Sequence, residues 1–132
     1  MKLYLTPPMT LQQVNEAFQK EFRFLKLAFF KKTHMPGEPS SKEDMLDNSL
    51  TLEQAGLQKS CEINLEENMQ VSRVEEAFKK CNLYAQVFRK SGNIWLETTK
   101  TDHYTLKEQM EEAKESETQY TYNPHNFADD RE

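Results

Sequence analysis

The sequence predicts an α+β fold made of two fused β-α-β repeats that share one sheet, with the helices on one face, in a ferredoxin-like split βαβ arrangement. Three observations support this prediction. The segment "MTLQQVNEAFQK" (9–20) returns as "MQVSRVEEAFKK" (69–80). Each copy follows a stretch in which apolar and polar residues alternate, which is typical of a strand with one buried face. Each copy also spaces its apolar residues by three and four, which indicates an amphipathic helix.

The repetition extends beyond this pair of segments. "KLYL" (2–5) matches "EINL" (62–65), and "LKLAFFKK" (25–32) matches "LYAQVFRK" (83–90) after a shortening by two residues. "DNSLTLEQA" (47–55) also shares a Thr-Leu pair with "TDHYTLKEQ" (101–109). We interpret this order as an internal duplication, with repeat units at about residues 1–57 and 61–115. One unit cannot cover its own apolar faces, so the two are expected to share a core.

The first unit is expected to run strand, helix, strand, loop and short helix. Thr10 is a candidate N-cap for the long helix, because its hydroxyl can accept a hydrogen bond from the opening turn. "LKLAFF" (25–30) alternates as a second strand, and "THMPGEPSS" (33–41) reads as a loop. Thr51 and Gln54 have the spacing of a capping box, and Gly56 would end that helix.

The second unit is expected to run strand, helix, strand, strand and helix. "SGN" (91–93) turns the chain from one strand back into "IWLETT" (94–99), which predicts a hairpin. Thr105 and Glu108 have capping-box spacing and open a helix that ends near Ser116. Residues 1–116 therefore form one duplicated domain, and residues 117–132 are expected to be a loose acidic tail.

Composition limits the location and the partners. No run approaches the roughly 18 to 20 apolar residues of a membrane span, and the N-terminus lacks the pattern of a secretory signal. The two cysteines, Cys61 and Cys81, predict reduced thiols in a cytoplasmic protein, with Cys81 buried and inert. The net charge of −5 comes from the segment after residue 105. Such an acidic tail repels nucleic acid and argues against it as a partner.

Two resemblances accompany these patterns. "NMQVSRVEEAF" (68–78), "QVFRKSGNIWLETT" (86–99) and "TDHYTL" (101–106) resemble a group of small bacterial α+β proteins of unknown function. This resemblance implies a bacterial origin and a cytoplasmic location, and it transfers no activity or site residue. "TLEQAGLQKSCEINL" (51–65) resembles the short helix, turn and last strand of ubiquitin-like β-grasp proteins. A tandem pair of β-grasp units is therefore the alternative fold.

The chain offers little for catalysis, so the prediction is a non-enzymatic protein without cofactor or metal. The histidines lack the helical spacing of metal ligands, and the glycines form no phosphate-binding loop. Cys81, His103 and Asp102 are the enzymatic alternative, as nucleophile, base and orienting group. Asp102 has a simpler role in capping the following helix. Glu75 and its neighbour Glu76 are expected to lie on a solvated helix face.

The second face of the sheet is the candidate functional site. If Leu3, Leu25, Leu27, Leu83, Ala85 and Val87 point to the helices, alternation sends Tyr4, Lys26, Phe30, Tyr84, Gln86 and Phe88 outward, together with Trp95. A face with several aromatic rings requires a cover. Three covers are open: the C-terminal helix, through Leu106 and Met110, or the tail; a protein partner or second copy on the face or edge; and single-stranded nucleic acid on the rings.

The leading hypothesis is that the protein is a protein-protein interaction or self-association module, which binds a partner protein or forms a homodimer. Its proposed interaction residues are those on the outward face and in the following hairpin: Tyr4, Phe30, Tyr84, Phe88, Arg89 and Trp95. Single-stranded nucleic-acid binding on the same face is the alternative function, supported by lysines and Arg89 beside the rings.

Overall fold

The computed structural model describes residues 1–31 and 44–122, with side chains described as far as residue 116. Its elements are β1 (Lys2–Leu5), α1 (Leu11–Glu21), β2 (Leu25–Phe30), α2 (Leu52–Ala55), β3 (Cys61–Asn64), α3 (Val71–Lys80), β4 (Tyr84–Ser91), β5 (Ile94–Glu97), a short 3-10 helix (Thr99–Thr101) and α4 (Leu106–Tyr122). The α+β class is confirmed. The whole of the predicted loop at 33–41, and the tail after residue 122, lie outside the described residues.

The strands form two hydrogen-bonded sheets, so the predicted single shared sheet is wrong. β1 pairs with β3 in antiparallel fashion, with Leu3 opposite Ile63. β2 pairs with β4, and β4 pairs with β5, again antiparallel. Each pairing of β1 with β3 and of β2 with β4 joins one half to the other, which also excludes two separate β-grasp units. Alternation shows which face of a strand is buried, but it does not choose the neighbouring strand.

One core lies between these elements and takes side chains from both sheets. Val14 and Phe18 of α1 and Val74 and Phe78 of α3 are fully buried in it. They pack in the same cluster as the inner side chains of the strands, which are Leu3, Leu5, Leu25, Leu27, Ile63, Ala85 and Val87. Fully burying one such side chain contributes roughly 1.5 to 3 kcal/mol. The spacing of three and four along each helix is therefore a core stripe, as predicted.

The two halves make corresponding hydrogen bonds where a later segment crosses the start of each long helix. The N–H of Leu52 donates to the carbonyl of Met9 at 2.7 Å, and the N–H of Leu106 donates to that of Met69 at 2.9 Å. The repeated Thr-Leu pair lies at these crossings and opens α2 and α4. The capping box predicted at Thr51 is present in full. The evolutionary duplication itself stays a prediction.

Cys61 and Cys81 are joined in a disulfide, which corrects the prediction of reduced thiols and of an inert Cys81. Cys61 is the first residue of β3, and Cys81 directly follows the last residue of α3. The two Cα atoms lie 6.1 Å apart. This separation suits a disulfide. The corresponding positions of the first half are Met1 and Glu21, so the crosslink is specific to the second half.

The last helix is longer than its sequence indicates. α4 continues to Tyr122, past Ser116, where the sequence predicts the start of a loose tail. Leu106, Gln109 and Ala113 are each fully buried, so a continuous face of α4 packs against the domain. Within the described ranges, no helix combines the length and the apolar character needed to cross a membrane.

Candidate interaction surface

The predicted phase of the three-stranded sheet is correct, but its outward face is not exposed. Ala28, Phe30 and Phe88 form a small apolar cluster separate from the main core, with Trp95 packed against it. We call these four residues the outer cluster. Phe30 is 2% exposed and Phe88 is 9% exposed, so these two rings are covered within the chain itself, as the first of the three open covers supposed, and are not left for a partner.

The residues predicted to interact occupy three separate places. Phe30, Tyr84, Phe88 and Trp95 lie on the outer face of the three-stranded sheet, where Tyr84 is half-buried opposite Phe30. Tyr4 belongs to the two-stranded sheet and is 63% exposed there. A hydrogen bond with Glu62 and the charge of that carboxylate raise the pKa of Tyr4.

Arg89 lies on the inner, helix-bearing face and not on the outward one. Its guanidinium donates to Oε1 of Gln109 on α4 at 2.8 Å. Gln109 in turn donates from Nε2 to the carbonyl and the hydroxyl of Thr101. Arg89 therefore attaches α4 to the sheet.

The C-terminal helix does not supply the predicted cover through Leu106 and Met110. Both side chains belong to the main core or pack against it. On the outer side, the ammonium of Lys26 lies 4.7 Å from the ring centroid of Trp95 and 5.8 Å from that of Phe88. Burial lowers the pKa of Lys26, while contact with the two rings favours its cation.

In the part of the chain that the structure describes, β5 is the last strand of this sheet and forms its edge beside the hairpin turn. Gly92 and Asn93 form its two-residue turn, and Gly92 takes the positive φ of 63° that such turns require. The N–H of Lys90 donates to the carbonyl of Phe24 on the β2 side at 2.8 Å. Trp95 lies opposite Lys90, so it occupies a non-hydrogen-bonded position of the β4–β5 ladder. Its N–H and C=O therefore point away from β4, at the outer edge.

Exposed apolar side chains flank that edge. Ile94 is 55% exposed and Leu96 is 36% exposed. They lie opposite Ser91 and Arg89, and therefore on the helix-bearing face, while Trp95 lies on the outer face. The sequence showed the hairpin but did not single out Ile94 or Leu96. Their alternation with Trp95 in a strand that follows a turn was the available signal.

Beside the hairpin, the sequence missed a half-buried carboxylate, Glu75. Glu75 accepts a hydrogen bond from the N–H of Val87 at 3.2 Å. Burial raises the pKa of Glu75 to about 7, and the charges of Asp102 and Glu97 act in the same direction. Glu75 is therefore partly withdrawn from solvent, which corrects the expectation of a solvated side chain, while Glu76 is exposed as expected.

Gln86, expected to point outward from the sheet, is fully buried. Its Nε2 donates to the carbonyl of Val87 at 3.2 Å, and its Oε1 has no hydrogen-bond partner among the described residues. Gln86 lies opposite Ala28 of the outer cluster. Strand alternation correctly predicted the face on which Gln86 lies, but it could not predict whether that face is buried.

The structure does not assemble the catalytic alternative. Sγ of Cys81 is bonded to Cys61 and is not a free nucleophile. The ring of His103 makes an edge contact with Tyr104, with centroids 4.9 Å apart. In the part of the chain that the structure describes, no group of three or more His, Cys, Asp or Glu residues is placed to hold a metal ion.

These features define an α+β protein with an apolar sheet edge along β5. Comparison of the chain with protein-family models, curated proteins and solved structures finds no match in any of the three. The geometry of this edge is therefore the observation that bears on function.

Proposed function

We propose that the protein is a non-enzymatic protein-protein interaction module whose contact surface is the β4–β5 hairpin. The observation that carries the proposal is the outward-pointing backbone of Trp95 between exposed Ile94 and Leu96. A strand edge of this kind pairs readily with another extended chain. Main-chain hydrogen bonds would align the added strand, and its apolar side chains would cover Ile94 and Leu96.

The proposal changes the surface expected from the sequence. Phe30 and Phe88 pack in the outer cluster, and Arg89 binds α4 to the sheet. None of these three residues is therefore assigned a direct contact with a partner. Trp95 keeps its place in the interaction surface. Tyr4 lies on the other sheet and provides a control position.

Nucleic-acid binding is not retained as a second function. A base-stacking surface needs accessible rings, and Phe30 is 2% exposed. Nor is the cytoplasmic location retained, because the disulfide removes one of its supports, the expected reduced thiols. Disulfides such as Cys61–Cys81 persist mainly in oxidising compartments.

The test compares Ile94→Lys with the control Tyr4→Ser. Both side chains are exposed, so both variants are expected to keep the wild-type circular dichroism and melting temperature. Each protein is assayed by sedimentation velocity alone and by chemical cross-linking in an extract of the producing cells. An edge lysine opposes strand addition, so Ile94→Lys should lose association that Tyr4→Ser retains. Equal association in both variants, or none with wild type, contradicts the proposal.

A further inference from the structure

We infer that the strand that β5 accepts is β5 of a second copy of this chain, paired antiparallel about a two-fold axis at Trp95. The inference rests on the proposed function, and it names the partner and the register.

The backbone of Trp95 is suited to this axis. In an antiparallel ladder, two residues that face each other in a hydrogen-bonded pair exchange both N–H···O=C bonds. Trp95 points both groups outward, so two copies of Trp95 form such a pair with each other. The three-stranded sheets of the two copies then become one continuous sheet.

The side chains on the helix-bearing face are also self-complementary. With Trp95 on the axis, Ile94 of each copy lies opposite the partner's Leu96, in a non-hydrogen-bonded pair where side chains approach most closely. Two exposed apolar side chains from each copy thus cover one another. One step further along, the neutral Asn93 faces the partner's Glu97, so this register sets no like charges opposite each other.

The same pairing would also bring the outer clusters of the two copies together. Trp95 is half-buried at the margin of the outer cluster, and Phe88 and Lys26 flank it on the side away from the sheet edge. The partner's Trp95 would lie beside it and join the outer clusters of the two copies. A foreign strand would need its own apolar side chains at alternate positions, and β5 already supplies them. The pairing involves only the four residues of β5 in each copy, so we expect a weak, concentration-dependent dimer.

The first experiment uses purified, disulfide-bonded protein with no other component. Trp95 is the single tryptophan of the chain, so its fluorescence reports directly on the axis. Between about 1 µM and about 1 mM, sedimentation should show a monomer–dimer equilibrium, and the Trp95 emission should shift to shorter wavelength over the same range. Ile94→Lys should remain monomeric throughout, while Tyr4→Ser should behave as wild type.

The second experiment tests the register. Copies carrying Ile94→Cys and copies carrying Leu96→Cys, distinguishable by mass, are mixed and oxidised mildly. The inferred register brings these two positions together, so the mixed dimer should exceed either homodimer severalfold. A Leu96→Cys homodimer in excess would indicate a register shifted by one residue in each strand and would overturn the inferred axis.

The outcomes separate the inference from the proposed function. A wild-type protein that stays monomeric, yet is cross-linked to another protein in a manner that Ile94→Lys abolishes, overturns self-pairing and leaves the proposed function in place. A dimer that Ile94→Lys does not weaken overturns the self-pairing. Absence of any association that depends on the hairpin overturns both.

Discussion

At the scale of single residues, Asn15 and Glu75 perform the same task at different electrostatic cost. They occupy corresponding positions of α1 and α3 in the repeat. Asn15 accepts a hydrogen bond from the N–H of Leu27 at 2.9 Å, as Glu75 does from Val87. A neutral amide does this without burying a charge, whereas Glu75 pays desolvation, which is the largest cause of its raised pKa.

This difference predicts the effect of Glu75→Gln. The pKa of Glu75 is about 7 in the fold against 4.5 for the ordinary side chain, so between these values the folded state holds a proton that the unfolded state has lost. The wild-type free energy of unfolding should therefore fall as pH rises through this window. Glu75→Gln should remove the dependence and raise stability at pH 8, by roughly 1 to 3 kcal/mol.

Urea unfolding at the two ends of this window measures the effect. The control is Glu76→Gln on the exposed side of the same helix, which should keep the wild-type pH dependence. The same dependence in Glu75→Gln and wild type would show that Glu75 is not the titrating group.

At the scale of elements, the disulfide joins the start of β3 to the end of α3. It spans a sequence separation of 20 residues. Closing a loop of this length in the unfolded chain stabilises the fold by about 3 kcal/mol in the chain-entropy model. The double variant Cys61→Ser, Cys81→Ser should lose stability of this order.

Thermal unfolding with and without reductant checks this prediction. Reductant should lower the melting temperature of wild type toward that of the double variant, and it should leave the variant unchanged. Mass spectrometry of the protein from its natural source gives an independent check of the bond. A protein with two alkylatable thiols before reduction would contradict the crosslink and restore the cytoplasmic expectation.

The helix caps show which helix boundaries are determined by residues close together in the sequence. Thr10 with Gln13 and Thr51 with Gln54 form capping boxes in which side chain and backbone satisfy each other. Their spacing is visible in the sequence, so the starts of α1 and α2 follow from it. The end of α4 at Tyr122 did not follow, because the sequence after Ser116 shows no helical period.

At the scale of the whole molecule, Gly56 couples the two halves. It ends α2 of the first half, and its carbonyl accepts a hydrogen bond from Nδ2 of Asn82 at 2.8 Å, just after α3 of the second. Gly56 has a φ of +132°, and a Cβ there would overlap the carbonyl oxygen of Asn82. A side chain at Gly56 would strain the backbone there and would also push the end of α2 away from the end of α3.

Gly56→Ala is therefore expected to destabilise the protein by more than about 1 kcal/mol. The control is Gln58→Ala, two positions away and exposed, which should change stability little. Urea unfolding gives the free energies, and hydrogen exchange shows whether β1–β3 pairing is loosened with the helix contact. Equal stability of the two variants would mean that the halves are not coupled at Gly56.

The sequence by itself determined the features that depend on near neighbours along the chain. Spacing of three and four placed Val14, Phe18, Val74 and Phe78 in the core, and strand alternation placed Phe30 and Phe88 on the side away from it. The recurring Thr-Leu pair marked the corresponding crossings at 51–52 and 105–106.

Only the tertiary structure decided the features that depend on residues distant in sequence. It paired β1 with β3 and β2 with β4 in separate sheets, joined Cys61 to Cys81, and partly buried Glu75. Among the described residues, it also left β5 without a strand on its outer side, while burying Phe30 and Phe88. The physical reason is that periodicity specifies the buried face of an element, whereas its neighbour, its cover and its local dielectric are set by the packing of the whole chain.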